Sequence, residues 1–235
     1  MKLRWFTIIE LLVVISIIAM LAAMLLPALK KARDASKTIV CGNNIKQQGV
    51  LLNMYTSDNN EYLPWAALSG CYTHASRLYK DGYVKNLDIF MCPMTKSADY
   101  LISGSDLFDA NSTDPLKSHY RSYLTNDKVM GWGGASWAPT VQPLVKLSGI
   151  RNTAKKVALF CGYTNPGTGL YNIGSCIGGA GNYSGFWSSI EYPWGWGNRP
   201  ADRHSMKSQI LWLDCHVNTT PSSALANLES WYPEK

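Results

Sequence analysis

The N-terminal part of the chain carries a long uninterrupted hydrophobic run. Leu11–Leu29 holds nineteen residues without a charge. At about 1.5 Å per residue, a helix of this length spans roughly 28 Å, close to the thickness of a bilayer's hydrocarbon core. The run therefore predicts a membrane-spanning helix. A secretory signal peptide, with a shorter run and small residues at its cleavage site, is the alternative, because Ala22, Ala23 and Ala28 supply small residues.

The helical pattern continues beyond this run, which favours a membrane helix over a cleaved signal peptide. Apolar and small residues recur every three to four positions on one side: Ala28, Ala32, Ala35, Ile39, Ile45, Gly49, Leu52 and Tyr55. Such spacing is typical of an amphipathic helix. We predict one helix over residues 6–55, apolar in its first half and amphipathic in its second.

The rest of the chain, residues 56–235, has a different pattern. Thr56–Glu61 is a polar run that should end the helix, and Pro64 follows it. Short apolar or alternating stretches then predict strands, at Tyr120–Thr125, Val157–Tyr163, Tyr183–Ser188 and Gln209–Val217. Leu78–Val84 or Ser222–Trp231 are candidates for short helices. The expected fold class is α+β, with a helical stalk packed on a β-rich, loop-rich head.

Charge is unevenly distributed between these two regions. The chain has a net charge of +6 and only 16% charged residues. Residues 1–55 contain seven Lys or Arg and two Asp or Glu, whereas residues 56–235 contain fifteen and fourteen. The head is thus nearly neutral, which argues against a nucleic-acid-binding surface on it.

Two residues in the apolar half are unusual. Glu10 is a lone carboxylate at the edge of the hydrophobic run, where an unpaired charge costs a few kcal/mol or more. It either stays hydrated at the headgroup boundary or is paired with a positive group. Pro27 removes a backbone hydrogen bond and should kink the helix.

The segment Phe6–Ile15, with the sequence FTIIELLVVI, resembles the cleavage and methylation segment of type IV pilins and type II secretion pseudopilins. The resemblance implies that residues 1–5 are a leader, cut before Phe6 by a prepilin peptidase that also methylates the new amine. It implies that Glu10 pairs with such an amine on a neighbouring subunit and that Pro27 is the family's helix-kinking proline. Trp5 stands where the family usually has Gly before the cut.

The resemblance also implies a function and a location. The chain would be a structural subunit that self-associates through its N-terminal helix into a type IV pilus or a type II secretion pseudopilus, with an inner-membrane assembly platform as partner. It would be a single-pass protein of the bacterial inner membrane with an exported head, and later part of a periplasmic or cell-surface filament. Counting Lys and Arg alone points to a cytoplasmic head, because four follow the run within residues 30–37. We follow the more specific motif.

The head resembles a bacterial pseudopilin group. The resemblance rests on Cys41–Gln47, on the pair Cys92-Pro93, and on a late signature of His, nine residues and Asp-Gly, here His204 and Asp214. Cys215 replaces the Gly of this signature. Because Asp-Gly readily forms a tight turn with positive φ, Cys215 is expected to fit that geometry poorly, so that the turn differs or is held by a disulfide.

Six cysteines are candidates for disulfide bonds, and they allow fifteen pairings: Cys41, Cys71, Cys92, Cys161, Cys176 and Cys215. An exported head favours disulfides, and a Cys161–Cys176 bridge could staple the loop between them. The alternative is that several are buried small hydrophobes. Since no Cys-x-x-Cys spacing occurs, the sequence predicts no zinc site.

Other candidate chemistry is weak, and the sequence predicts neither an enzyme nor a cofactor. No histidine lies in a catalytic signature and no Gly-x-Ser-x-Gly motif occurs. Asp214 and His216, with His204, could ligate a metal, but a hairpin whose polar groups cap its own backbone is favoured. Asp106, Asp109 and Asp114 are weak candidates for calcium binding, and an ordinary solvated loop is favoured there.

Tryptophans among glycines suggest a second function for the head. Five of the nine tryptophans lie in such segments: Trp132, Trp137, Trp187, Trp194 and Trp196. Exposed indoles could stack on sugar faces, whereas buried ones would fill a core that is poor in aliphatic residues. The alternative to a filament subunit is therefore an uncleaved, membrane-anchored module that binds a glycan or another envelope ligand.

Overall fold

The computed structural model describes residues 7–65, 67–68, 72–95, 123–131, 144–164, 198–200, 204–205 and 207–221 of the chain. A single long helix, α1, covers Ile8–Asp58, and its C-terminal part packs on an antiparallel sheet. The predicted α+β class, with a long N-terminal helix and a sheet, is confirmed.

The ends of α1 lie close to the predicted ones. Thr7 is the N-cap, and its hydroxyl accepts a hydrogen bond from the Glu10 N–H while the Glu10 carboxylate accepts one from the Thr7 N–H. This reciprocal pair is a capping box. At the other end the helix runs three residues past Tyr55 into the predicted polar breaker, and positive φ at Asn60 (52°) and Glu61 (66°) turns the chain away.

Seven strands and two short helices follow α1 among the described residues. The strands are β1 Ala67–Leu68, β2 Tyr72–Thr73, β3 Tyr123–Thr125, β4 Val157–Thr164, β5 Asn198–Pro200, β6 Lys207–Trp212 and β7 Val217–Pro221. The helices are α2 His74–Lys80 and α3 Asp127–Met130, with 3₁₀ turns at Leu87–Phe90, Leu147–Gly149 and Thr153–Lys155. The main sheet has the order β3-β4-β6-β7, β5 extends it beside the end of β4, and β1 pairs with β2 separately; all pairs are antiparallel.

One stripe of α1 faces the sheet. Its buried members are Cys41, Ile45, Gln48, Gly49, Leu52, Tyr55 and Thr56. Gly49 makes the closest approach, because a Cβ atom at this position would lie 2.8 Å from Cδ1 of Leu211 on β6. The absence of a side chain at Gly49 therefore lets the helix lie directly on the sheet.

The predicted amphipathic face of α1 is only partly right. Ile45 and Leu52 are buried, but Ile39 is 73% exposed, and Ala28, Ala32 and Ala35 are exposed as well. At about 100° per residue, Ile39 lies roughly 140° around the helix from Leu52, so the two cannot face the same sheet. The loose three-to-four spacing had joined residues from opposite sides of the helix.

The predicted strand Gln209–Val217 is two strands joined by a turn. β6 ends at Trp212 and β7 begins at Val217, with Cys215 between them at φ 67°. The expectation that the turn would differ or be held by a disulfide was wrong, since Cys215 is a free thiol in the left-handed conformation that glycine would take. The predicted helix at Leu78–Val84 is also shifted, because α2 covers His74–Lys80. Tyr183–Ser188 and Ser222–Trp231 lie outside the described residues.

Candidate metal centre

Three cysteines and one histidine meet where α1, β4 and two separate turns come together. They are Cys41, Cys92, Cys161 and His204, and their ligand atoms all lie within 4.8 Å of one another. All four side chains are buried, with exposures of 0 to 3%. We call this set the Cys3His cluster.

Two members of the cluster come from α1 and the sheet. Cys41 is the first buried residue of the α1 stripe, and Cys161 lies near the middle of β4. Tyr123 on β3 is paired directly with Cys161, so both side chains lie on the same face of the sheet. The Tyr123 hydroxyl approaches both the Sγ and the carbonyl oxygen of Cys41 at 3.4 Å. These contacts fix Cys41 over Cys161.

The segment that carries Cys92 is tied to α1 by two amide side chains. Asn44 Nδ2 donates to the Met91 carbonyl oxygen at 3.2 Å, and Gln48 Nε2 donates to the Ile89 carbonyl oxygen at 2.7 Å. Both amides lie on the same helix as Cys41, within two turns of it. The spacing along α1 thus sets the position of Cys92.

Cys92 itself opens a tight turn through Pro93. The Thr95 N–H donates to the Cys92 carbonyl oxygen at 2.9 Å. Within this turn the backbone N–H of Met94 lowers the pKa of the Cys92 thiol. A backbone donor at a sulfur stabilises its thiolate, which is the form that binds metals.

His204 approaches from the segment before β6, where its N–H donates to the Lys207 carbonyl oxygen at 3.4 Å. Its Nε2 lies 3.5 Å from Cys92 Sγ, and its Nδ1 lies 3.1 Å from the Thr38 hydroxyl oxygen. The Thr38 hydroxyl donates its one proton to the Asp34 carbonyl oxygen at 2.9 Å, so its oxygen accepts from Nδ1–H. This arrangement leaves the lone pair on Nε2, the ring nitrogen that faces the cysteines.

The cysteines of the cluster influence one another's ionisation. Contacts with the Cys161 and Cys41 thiols hold the pKa of Cys92 far below its usual range. The contacts of Cys161 with Cys41 and Cys92, and its burial, raise the pKa of Cys161. Burial also raises the pKa of Tyr123, which therefore stays a hydroxyl donor.

The donor set determines what this cluster can do. Thiolates and a neutral imidazole are the ligands of zinc and other soft or borderline cations, whereas calcium and magnesium require oxygen. The cluster does not fit the prediction that the chain holds no metal, which rested on the missing Cys-x-x-Cys spacing. The four ligands come from four separate segments, so no local spacing could reveal them.

The remaining histidine and acidic candidates of this region form a separate structure. Asp214 Oδ1 accepts hydrogen bonds from the backbone N–H and from Nδ1 of His216, in the turn between β6 and β7. Cys215 points its Sγ at the Gly49 carbonyl oxygen, 3.4 Å away on α1. The turn is therefore a self-capped hairpin, and His204 joins the cysteines instead of Asp214 and His216.

Only part of the predicted cysteine chemistry lies in the described residues. Cys41, Cys92, Cys161 and Cys215 are thiols in the structure, and none of these four is half of a disulfide. Cys71 and Cys176 lie outside the described residues, so a bridge that involves either of them stays a prediction. The same holds for the weak calcium candidates Asp106, Asp109 and Asp114, and for the tryptophan-rich loops.

The sequence signals for the cluster were present but scattered. The resemblance to a pseudopilin group singles out Cys41, the pair Cys92-Pro93 and His204, and Cys161 lies in a predicted strand. Nothing in the sequence alone brings the four together.

Of the four assembly and processing candidates at the start of the chain, two lie within the described residues. Glu10 lies in the capping box of α1, and the helix continues through Pro27. Trp5 and Phe6 lie outside the described residues.

Comparison of the chain with protein-family models, with curated proteins and with solved structures gives no match.

Proposed function

We propose that this protein is a prepilin-like filament subunit, processed before Phe6 and assembled through its N-terminal helix into a type IV pilus or a type II secretion pseudopilus. The observation that supports this most is the division of α1. Its apolar first part is exposed along its whole length, while its second part is buried against the sheet.

The exposed part of α1 requires a cover that the chain itself does not supply among its described residues. Large aliphatic side chains surround the helix on all sides from Ile8 to Leu29, with 84% and 66% exposure at these two ends. By length and composition this part could cross a membrane. A helix that is apolar all round is stable in a bilayer or inside a bundle of similar helices. A subunit that moves from the membrane into a filament would use both environments in turn.

Glu10 gives the proposed assembly its register. Its Oε2 accepts from the Thr7 N–H and the Thr7 hydroxyl, each at 2.8 Å. A carboxylate offers about four lone-pair sites on two oxygens, so it can also accept from an ammonium group. In the filament, the Phe6 amine of a neighbouring subunit would supply that group. Removing water from an isolated carboxylate is costly, and this pairing would offset the cost.

The proposal includes processing partners and a location. A prepilin peptidase would cut before Phe6 and methylate its amine, and an inner-membrane platform would extract subunits into the filament. Before that step the protein would be a single-pass protein of the bacterial inner membrane, with residues 56–235 exported.

The decisive experiment is the N-terminal sequence and intact mass of the full protein extracted from the membranes of its native cells. We expect a chain that starts at Phe6 and is heavier by one methyl group. A Trp5→Gly variant is the matched control, since it restores the residue that the family usually has before the cut. A wild-type chain that starts at Met1 beside a cut Trp5→Gly chain would contradict the proposal. It would favour the uncleaved anchor with a glycan-binding head.

A further inference from the structure

The Cys3His cluster has the donors, burial and geometry of a structural metal site. We propose that Cys41, Cys92, Cys161 and His204 bind one Zn²⁺ ion, which fastens the helical stalk to the head. The inference concerns the folded head and does not depend on filament assembly.

The geometry of the cluster is close to that of a bound ion. In tetrahedral zinc sites the Zn–S distance is about 2.3 Å and the Zn–N distance about 2.0 Å, so two sulfurs lie roughly 3.8 Å apart and a sulfur and a nitrogen roughly 3.5 Å apart. Cys92 Sγ and His204 Nε2 are separated by 3.5 Å, and no two ligand atoms are more than 4.8 Å apart. Small side-chain movements suffice to close the cluster on an ion.

The ligands point to zinc in a structural role. Three thiolates and one imidazole are a frequent ligand set of structural zinc, which is four-coordinate and has no open position. Exposures of 0 to 3% place all four ligands out of contact with bulk solvent. The ion would therefore stabilise the fold and would not catalyse a reaction.

A second layer of contacts supports the ligands. Thr38 holds the His204 ring with its lone pair on Nε2, as described above. The Tyr123 hydroxyl lies 3.4 Å from Cys41 Sγ. Three thiolates around a divalent ion leave one negative charge, which this hydroxyl would partly offset. Partners of this kind orient ligands and raise metal affinity.

A disulfide is the competing use of the same cysteines in an exported head. It would join two of the three thiols and leave the third thiol and His204 unused. One zinc ion uses all four groups, and it links α1 to residues 92, 161 and 204 at once. The four-ligand arrangement therefore fits a cation better than a disulfide.

The test is the metal content and spectroscopy of the full-length protein, purified in detergent without chelators. We expect about one zinc per chain. After exchange with Co²⁺ we expect the intense visible bands of a tetrahedral site and a thiolate-to-cobalt charge-transfer band. Less than half a zinc per chain, with no such band after reduction and Co²⁺ addition, would overturn the proposal. A disulfide between two of the three cysteines in the native protein would also overturn it.

Variants locate the ion. Cys92→Ser and His204→Gln should lose it, whereas the matched controls Cys215→Ser and His216→Gln, which change a nearby cysteine and histidine outside the cluster, should keep it. Equal zinc loss in both pairs would overturn the assignment.

Thr38→Val is a milder change that removes no ligand and should weaken zinc binding by about 10- to 100-fold in a chelator competition. Unchanged affinity in Thr38→Val, together with retained zinc in His204→Gln, would overturn the role of His204.

The outcome is separable from that of the proposed function. Zinc content reports on the folded head, and N-terminal processing reports on residues 1–10. A chain that starts at Phe6 and holds no zinc would contradict only the metal proposal. A zinc-bound chain that starts at Met1 would contradict only the filament proposal.

Discussion

The two parts of α1 share one helical backbone, but the first part is exposed and the second packs against the head. Residues 8–40 contain the most apolar stretch of the helix, yet none of them is buried in the structure. Residues 41–58 contain glutamine, asparagine and threonine among their apolar residues, and seven of them are buried against the head. Apolar composition therefore does not show where the core of this chain lies. It shows which surfaces must be covered, either by the chain itself or by a membrane and neighbouring copies.

The largest effect is expected from a charge in the buried part of α1. Ile45→Asp places a carboxylate where the side chain is fully buried. The free energy of unfolding of the head should fall by about 4 kcal/mol or more, because the charge has no partner there. The matched control is Ile39→Asp, six residues earlier on the same helix and 73% exposed, which should stay within about 0.5 kcal/mol. Denaturant unfolding in detergent measures both, and equal losses would contradict the division of the helix.

Removing the charge at Glu10 tests the proposed role of the exposed part of α1 in filament assembly. Glu10→Gln keeps an amide oxygen for the Thr7 contacts but cannot pair with an ammonium. A charge-assisted hydrogen bond contributes about 1.5–3 kcal/mol, so incorporation into filaments should fall at least about tenfold while the head remains folded. The control is Asp34→Asn, which removes the other acidic charge of residues 1–55. Sheared filament yield from cells gives the measurement, and normal assembly of Glu10→Gln would refute the pairing.

Alanine substitutions at Gly49 and Gly42 distinguish the effect of close packing from the effect of helix propensity. Alanine at either position should gain about 0.5–1 kcal/mol of helix stability. At Gly49 the new Cβ lies 2.8 Å from Leu211 Cδ1, whereas at Gly42 the nearest atom is the movable Gln209 Oε1 at 3.3 Å. We expect a net loss of about 1 kcal/mol for Gly49→Ala and no loss for Gly42→Ala. Thermal unfolding of both variants distinguishes them, and the same Tm for the two would contradict the close approach.

The smallest effect is expected at the start of α1. Thr7→Ala removes the capping hydroxyl and should destabilise the first turn by about 0.5–1 kcal/mol. The head should not respond, because none of residues 8–40 is buried. Faster hydrogen exchange of the first-turn amides with an unchanged Tm is the expected result. Ser16→Ala, which removes a hydroxyl that donates to the Leu12 carbonyl oxygen inside the helix, should leave this exchange unchanged.

The features that depend only on neighbouring residues could be predicted from the sequence. The uncharged run, the polar residues 56–61 and the apolar stretch at Val157 predicted the long helix, its approximate end and β4, because helix and strand periodicity are local properties. Local sequence could not predict which side of α1 is buried, because this depends on which side meets Leu211 and the rest of the sheet. Ile39 was therefore misassigned and Ile45 was not.

The Cys3His cluster, in contrast, depends on contacts between distant segments of the chain. Cys41, Cys92, Cys161 and His204 lie far apart in the chain, and each has an ordinary local explanation as a core residue or a turn residue. They meet because the Asn44 and Gln48 amides hold the Cys92 segment against α1, while the pairing of Tyr123 with Cys161 sets the opposing face. Likewise, the positive φ of Cys215 follows from closing β6 on β7. Long-range packing fixes such positions, and no window of sequence contains the residues that do so.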